Sequence, residues 1–306
     1  METNFNQNSI EGLTDEQKKI LMAPVFIVGS GRSGTTWLQR LLLEHPEVAG
    51  GQESEFFLCF SSCLAAVEGN SNAVRKLGLP VYWNEFEFFE EIRGIWMRTF
   101  IPMLRLKPQA HFLSEKTPSH AFHMNLILKF LPNAKFIHII RDSRSVVSSM
   151  IAAEKSWGSS WAPSKAKSAA IIWWRSVIAA RNSGAAMPSR KYLEICYEDL
   201  LADTSVELSK IYDFIGVDCD PNLLEEIVSM QSMQKLKQLK GTGFNDREGN
   251  ILKEPEGFFR KGMSDSWKKD LSLFQKLVVW RYTRKLMKEC GYNWKGRMKE
   301  GETTNV

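Results

Sequence analysis

A chain of 306 residues is long enough for one large α/β domain or two small ones, and a core of that size stands without disulfide staples. Hydrophobic residues make up 43% and charged residues 25%, ordinary for a soluble globular protein, which excludes disordered and fibrous classes. The net charge of +5 favours an anionic ligand, yet no basic block is dense enough to read as a nucleic-acid surface.

Five cysteines (Cys59, Cys63, Cys196, Cys219, Cys290) are odd in number and lack C-x-x-C spacing or a histidine pattern beside them. Reduced thiols are therefore expected, with no disulfide and no metal site. The opening METNFNQNSI has neither the basic nor the apolar region of a leader, and no stretch is apolar for long enough to cross a bilayer. The expectation is a cytoplasmic protein with no membrane partner.

In chain order, residues 1–22 read as a polar arm with one short helix over 14–21, capped by Thr14 with Gln17 three residues on. Val25, Phe26, Ile27 and Val28 form an apolar, β-rich run without polar alternation, as in a strand buried on both faces. Gly29 ends it, Ser30-Gly31-Arg32-Ser33-Gly34-Thr35-Thr36 follows, and an apolar stretch at helical spacing starts at Trp37. Strand, glycine-rich loop and helix start aim backbone N–H groups and a positive helix end at one point, where a phosphate belongs. Gly29 and Gly34 have Walker A spacing, but Thr35 stands where the lysine would be, and the cation has moved to Arg32. Without that lysine the loop suits a 5′-phosphate better than a triphosphate.

The helix over 36–44 ends before His45-Pro46. A short strand at Val48 and Ala49 then leads into a Gly50-Gly51 turn that presents Glu53 and Glu55. Residues 58–113 read as helical and rich in aromatics, among them Trp83, Phe88, Trp96 and Phe100, which serve either as core or as pocket walls. A polar segment, Ser114 to His120, precedes a helix over 121–130. Residues 135–140 are the next strand, with His138 as a satisfied core histidine, and deliver Arg141 to Ser149 to the carboxyl edge of the sheet. Residues 154–190 are mainly helical and carry Trp157, Trp161, Trp173 and Trp174. A strand over 191–196 gives way to a helix, and a further helix over 208–215 stops at Gly216. Residues 218–240 are helical, 241–257 suit a mobile lid, and a helix over 271–290 precedes a frayed tail from Arg297. The domain plan is an arm at 1–22, one domain at 23–295 and a tail at 296–306.

The loop GRSGTTWL resembles the 5′-phosphosulfate loop of the sulfotransferases, enzymes that use 3′-phosphoadenosine 5′-phosphosulfate (PAPS) as donor. On that resemblance Arg32, Ser33, Gly34, Thr35 and Thr36 hold the 5′ end of the donor, and Trp37 stacks on adenine. His45-Pro46-Glu47-Val48 and Gly51-Gln52-Glu53 are similar to a pattern of the tyrosylprotein branch, which places the general base at Glu53; Gln52 and Glu55 depart from it. Glu115-Lys116-Thr117-Pro118 resembles a segment whose lysine stabilises the sulfuryl group in transit; Pro118 replaces the base histidine of the cytosolic branch, and His120 is the second-choice base. The run from Arg141 to Ser149 resembles the 3′-phosphate motif, Tyr197 falls on a tyrosine near that phosphate, and Met230 loosely on an adenine contact. Arg260, Lys261 and Gly262 match a phosphate-gripping triplet.

The resemblance implies a single α/β domain with a central parallel sheet of four to five strands flanked by helices, like P-loop nucleotide kinases. It implies transfer of a sulfuryl group from PAPS to an acceptor hydroxyl or amine, releasing adenosine 3′,5′-bisphosphate and needing no metal. The acceptor is expected to be a small molecule rather than a protein, and a homodimer is compatible with the sequence. A non-catalytic binder of the nucleotide and a kinase-like phosphotransferase are the alternatives.

Overall fold

The computed structural model describes residues 12–60, 81–231 and 264–298, together with 235, 244, 246, 248–252, 255 and 258. Its centre is the strand Val25–Gly29 (β1), buried at all five positions. Around it lie Val48–Gly50 (β2), Phe112–Lys116 (β3), Lys135–Ile140 (β4) and Tyr192–Cys196 (β5), in the order β2-β3-β1-β4-β5. Every pairing in this sheet is parallel, with Ile27 opposite both Lys116 and Ile137. All five carboxyl ends therefore open onto one edge, and the order reverses around β1, the arrangement that forms a binding crevice.

Among the described residues, eleven α-helices surround this sheet. Thr14 and Gln17 form the expected capping box at Asp15–Met22 (α1), and the Trp96 indole donates to the Leu21 carbonyl at 2.7 Å. The arm is thus docked from Leu13 onward, where Leu13 and Leu21 are buried. Thr35–Glu44 (α2) follows β1 directly. Glu85–Leu106 (α3) starts at an Asn84–Glu87 capping box and packs Phe88, Trp96 and Phe100 into a cluster with Phe26 and Phe57. Those aromatics are core.

Two expectations need correction. The helical reading of 58–113 runs into β3, whose first residues Phe112 and Leu113 are strand; its Ser-Glu-Lys end disguised it, because all three polar side chains are buried, Glu115 and Lys116 with partners inside the fold. The helix expected over 121–130 is a 3₁₀ turn at Pro118–Phe122 followed by Met124–Phe130 (α4), broken where His123 leaves helical geometry at φ −120°.

Ser143–Glu154 (α5) and Ala166–Ala185 (α6) cover β4 together with Leu273–Glu289 further on. Tyr197–Ala202 (α7), Thr204–Ile215 (α8, stopped by Gly216 at φ 95°) and Pro221–Met230 (α9) close the other face. Trp267–Asp270 (α10) precedes Leu273–Glu289 (α11), after which Tyr292–Asn293 (β6) and Gly296–Arg297 (β7) form a small hairpin. Arg297 is not frayed: its guanidinium holds Asp199 at 2.6 Å. Buried Arg144 pairs with Asp142 at 2.6 Å, lies 3.7 Å above the Trp267 ring and donates to the Asn293 and Trp294 carbonyls, which ties the hairpin to the start of α5.

Beside this knot the Glu198 carboxylate accepts from the Tyr292 hydroxyl at 2.6 Å and the Asp142 amide at 3.1 Å. Burial, then the nearby Asp142 charge, pushes its pKa up to about 7. The folded state thus keeps a proton that the unfolded chain releases near 4.5, so stability falls as pH rises from there to about 7. Glu198→Gln cannot ionise; its amide donates to Tyr292, whose hydroxyl can turn to the Ile140 carbonyl 3.4 Å away. The variant is expected to melt a few degrees above wild type at alkaline pH, with the gap closing in mild acid. Melting curves showing a gap independent of pH contradict this.

Candidate active site

The loop after β1 is shaped by its backbone. Gly34 has φ 100°, and a Cβ there would lie 2.4 Å from the Tyr197 ring. Arg32 adopts φ 71°, a left-handed conformation uncommon for a residue with a side chain. Its guanidinium justifies the strain: Nε donates to Ser149 Oγ at 3.1 Å, Nη2 to the Phe258 carbonyl at 2.7 Å, and the Phe258 and Trp157 rings lie 4.5 and 5.1 Å from it. Gly34 caps α2 without any side-chain hydrogen bond, so the first-turn N–H groups stay available to an anion. The Ser33 hydroxyl beside them is buried with no hydrogen-bond partner among the described residues.

The ends of β4 and β5 bring the next residues to this loop. Arg141 Nη1 donates to the Arg32 carbonyl at 3.3 Å, and its guanidinium lies 4.0 Å over the Tyr197 ring. Tyr197 meets Trp37 edge-on at 5.6 Å, and the Trp37 indole donates to the Gln231 carbonyl at 3.1 Å. Trp37, Tyr197, Arg141, Arg32 and Ser149, far apart in sequence, form one contiguous line. Met230 ends α9 next to Gln231, partly exposed. Arg260, Lys261 and Gly262 lie outside the described residues, as does most of the expected lid at 241–257.

On the other side of the loop, β3 ends in Lys116, whose side chain is 1% exposed. Its ammonium donates to Thr36 Oγ1 at 3.3 Å and to Glu53 Oε1 at 2.5 Å. Glu53 is 38% exposed and so meets solvent on one side only. Behind it lies a buried network that sequence reading missed. Glu115 accepts from the Ser54 amide (3.3 Å) and hydroxyl (2.7 Å), the Thr117 hydroxyl (2.7 Å) and His120 Nδ1 (2.9 Å). His120 Nε2 in turn accepts from the Phe57 amide at 3.3 Å. Both nitrogens of this fully buried imidazole are engaged, and His120 is absent from the cavity wall. Burial disfavours charge on Glu115, but the His120 partner and the Thr117 and Ser54 donors together hold its pKa below the ordinary range.

A cavity of about 480 Å³ opens where the two halves meet. Its lining combines the polar residues Arg32, Thr35, Thr36, Glu53 and Glu55 with the apolar residues Phe122, Trp157, Trp161, Ile172 and Phe258. None of the aromatics from 83–100 reaches it.

Residues 24–221 match the Sulfotransferase family. Sulfotransferase 2A6 of Rattus norvegicus is 26% identical over 258 residues, covering 80% of this chain and 77% of its own length. Protein-tyrosine sulfotransferase 1 of Danio rerio is 31% identical over 132 residues, 42% of this chain and 36% of its own. Mouse sulfotransferase SULT7A1, solved with PAP, has the same fold with a TM-score of 0.55 at 17% identity, covering 90% of this chain and 94% of that one. The chain belongs to the sulfotransferase family and is an enzyme of sulfuryl transfer from PAPS to an acceptor. The kinase-like and non-catalytic alternatives give way to it. Among the described residues no helix is long and apolar enough to cross a membrane.

The Glu115 network fixes the loop that carries Glu53, and it is testable as such. Glu115→Gln leaves His120 and the hydroxyl donors without their common anion, and is expected to lose about 3 kcal/mol at neutral pH. Because the folded pKa lies below the ordinary 4.5, that stabilisation is present above 4.5 and fades as pH falls through the folded value. Urea denaturation should therefore show the gap between wild type and variant narrowing in acid; a gap that widens in acid contradicts the assignment.

Proposed function

We propose that Glu53 is the general base that deprotonates an acceptor hydroxyl, and that Lys116 and Arg32 stabilise the charge that moves to the donor. The observation that carries this reading is the position of the Lys116 ammonium, bonded at once to Thr36 of the phosphate loop and to Glu53. A group held between the two is where an acceptor oxygen, a sulfuryl group and a departing phosphate have to meet.

The loop fits the donor: open N–H groups, an unpartnered buried Ser33 hydroxyl and a left-handed glycine suit a 5′-phosphate. On this reading Ser33, Gly34, Thr35 and Thr36 hold that phosphate, and Trp37 and Met230 flank adenine. Arg141, Ser149 and Tyr197 hold the 3′-phosphate, joined by Arg260, Lys261 and Gly262. The donor supplies the sulfuryl group and leaves as adenosine 3′,5′-bisphosphate. Glu53, held in place by Lys116, takes the acceptor proton as the new S–O bond forms. Arg32 and Lys116 then face the negative charge left on the loop. The buried engagement of both His120 nitrogens favours Glu53 over His120 for the base. The enclosed aromatic wall suits a small acceptor in the cytoplasm, against the alternative of a protein side chain.

Glu53→Gln keeps the shape and removes the proton acceptor. Turnover is expected to drop roughly 10²–10⁴-fold while bisphosphate affinity, read by calorimetry, stays near wild type. A variant with unchanged turnover would place the base elsewhere. Adenosine 3′,5′-bisphosphate is expected to raise the melting temperature well beyond what AMP does, since only it engages Arg141 and Ser149. Equal shifts from both nucleotides would remove those residues from the donor site.

A further inference from the structure

We propose that Glu55 selects acceptors bearing a positive charge, so that the acceptor class is an aryl or alkyl alcohol with an ammonium group. This rests on the reading of the 480 Å³ cavity as the acceptor site.

Glu55 lines that cavity and has φ 51°, sharing the left-handed region with Arg32 alone among the described non-glycine residues. Its backbone is held from both sides: the amide donates to Thr117 Oγ1 at 3.1 Å, and the carbonyl accepts from the Leu58 amide at 2.9 Å. The backbone therefore sets the direction in which this exposed side chain leaves the loop.

The charges around it differ in kind. Lys116 already neutralises the Glu53 carboxylate, and the Arg32 guanidinium is engaged by Ser149 and Phe258. The Glu55 carboxylate makes no ion pair with any described residue and stands open to what enters the cavity. The same cavity is lined by Phe122 and Trp161, which are 49% and 47% exposed, large apolar surfaces with free ring area. Ring faces attract cations, and the same wall already does so where Trp157 and Phe258 receive Arg32. A carboxylate without an ion pair among the described residues, sharing a cavity with exposed aromatic rings, is a site for an ammonium ion attached to an apolar body. It also repels anionic acceptors such as acidic peptides and carboxylated phenols.

Spacing limits the acceptor further. Glu53 and Glu55 are two residues apart, so their Cα atoms are separated by at most about 7 Å. The hydroxyl at Glu53 and the ammonium at Glu55 then lie about a ring and a short arm apart.

Three phenols of matched shape test this: tyramine, para-ethylphenol and para-hydroxyphenylpropionate, which are cationic, neutral and anionic. Each is titrated by calorimetry into enzyme saturated with adenosine 3′,5′-bisphosphate, so the readout needs no turnover. Wild type is expected to bind tyramine about tenfold more tightly than para-ethylphenol, and the anion more weakly than either. Glu55→Gln is expected to bring all three together, each affinity judged against the neutral phenol in the same protein. Glu55→Asn, better suited to a left-handed backbone, provides the same comparison if the glutamine variant folds poorly. A ratio unchanged in both variants, a preference for the anion, or binding of none of the three overturns the proposal. The base assignment fails separately, if Glu53→Gln keeps its turnover, and that result leaves the affinity ratio unmoved.

Discussion

A buried ammonium ion has to be paired, and Lys116 is the group on which this site turns. With its side chain 1% exposed, it loses the hydration that would stabilise it in water, and only close anionic and hydroxyl partners can replace that hydration. Thr36 and Glu53 are those partners, one at the start of α2 and one in the loop after β2. The distance between phosphate loop and carboxylate is therefore set by the reach of one lysine. Strand alternation extends the control: Glu115, the residue before it, points to the opposite face and gathers Ser54, Thr117 and His120. One strand end thus holds the Glu53 loop from the front and from behind. A slip of register by one residue would exchange the two charges and undo both.

The donor side depends on a second buried cation that never reaches the cavity. Arg144 is closed in by Asp142, Trp267 and the hairpin carbonyls. In the run Arg141-Asp142-Ser143-Arg144 it is the first arginine that meets Arg32 and Tyr197, while the second binds the C-terminal segments to the start of α5. A two-arginine motif is thereby divided between contact with the phosphate-loop residue Arg32 and architectural work. The division follows from direction, since Arg141 leaves the end of β4 and Arg144 lies within the first turn of α5.

How much of this was legible in the sequence followed from how local each signal is. The unbroken apolar runs of β1 and β4, the Thr14 capping box and the glycine stop at Gly216 are written in neighbouring residues, and all are present. The line Trp37, Tyr197, Arg141, Arg32 and Ser149 was legible as separate motifs whose meeting is imposed by parallel strand order. β3 was obscured because its Ser-Glu-Lys end looks like a loop to any reading based on hydrophobicity. The Glu115 network was not legible, since its members Phe57 and His120 are 63 residues apart and neither carries a pattern of its own. The apolar cavity walls came from 118–122 and 150–176, whereas Phe88, Trp96 and Phe100 went into the core and Trp83 and Phe86 stayed exposed. Aromatic density alone does not say which side of a helix meets the solvent.

The charges of the site divide by sign. On the proposed reading, Arg141, Arg32 and Lys116 serve the donor, Glu53 and Glu55 the acceptor, and the Lys116–Glu53 contact joins the two groups. That contact gives donor and acceptor a common electrostatic logic. On the proposed reading, a phosphosulfate at the loop competes with Glu53 for the Lys116 ammonium. As the ammonium turns towards the donor, its contact with the carboxylate loosens and leaves Glu53 Oε1 open to the acceptor hydroxyl. The carboxylate is then open when the donor is in place, so the acceptor hydroxyl meets it beside a sulfuryl group that can receive its oxygen.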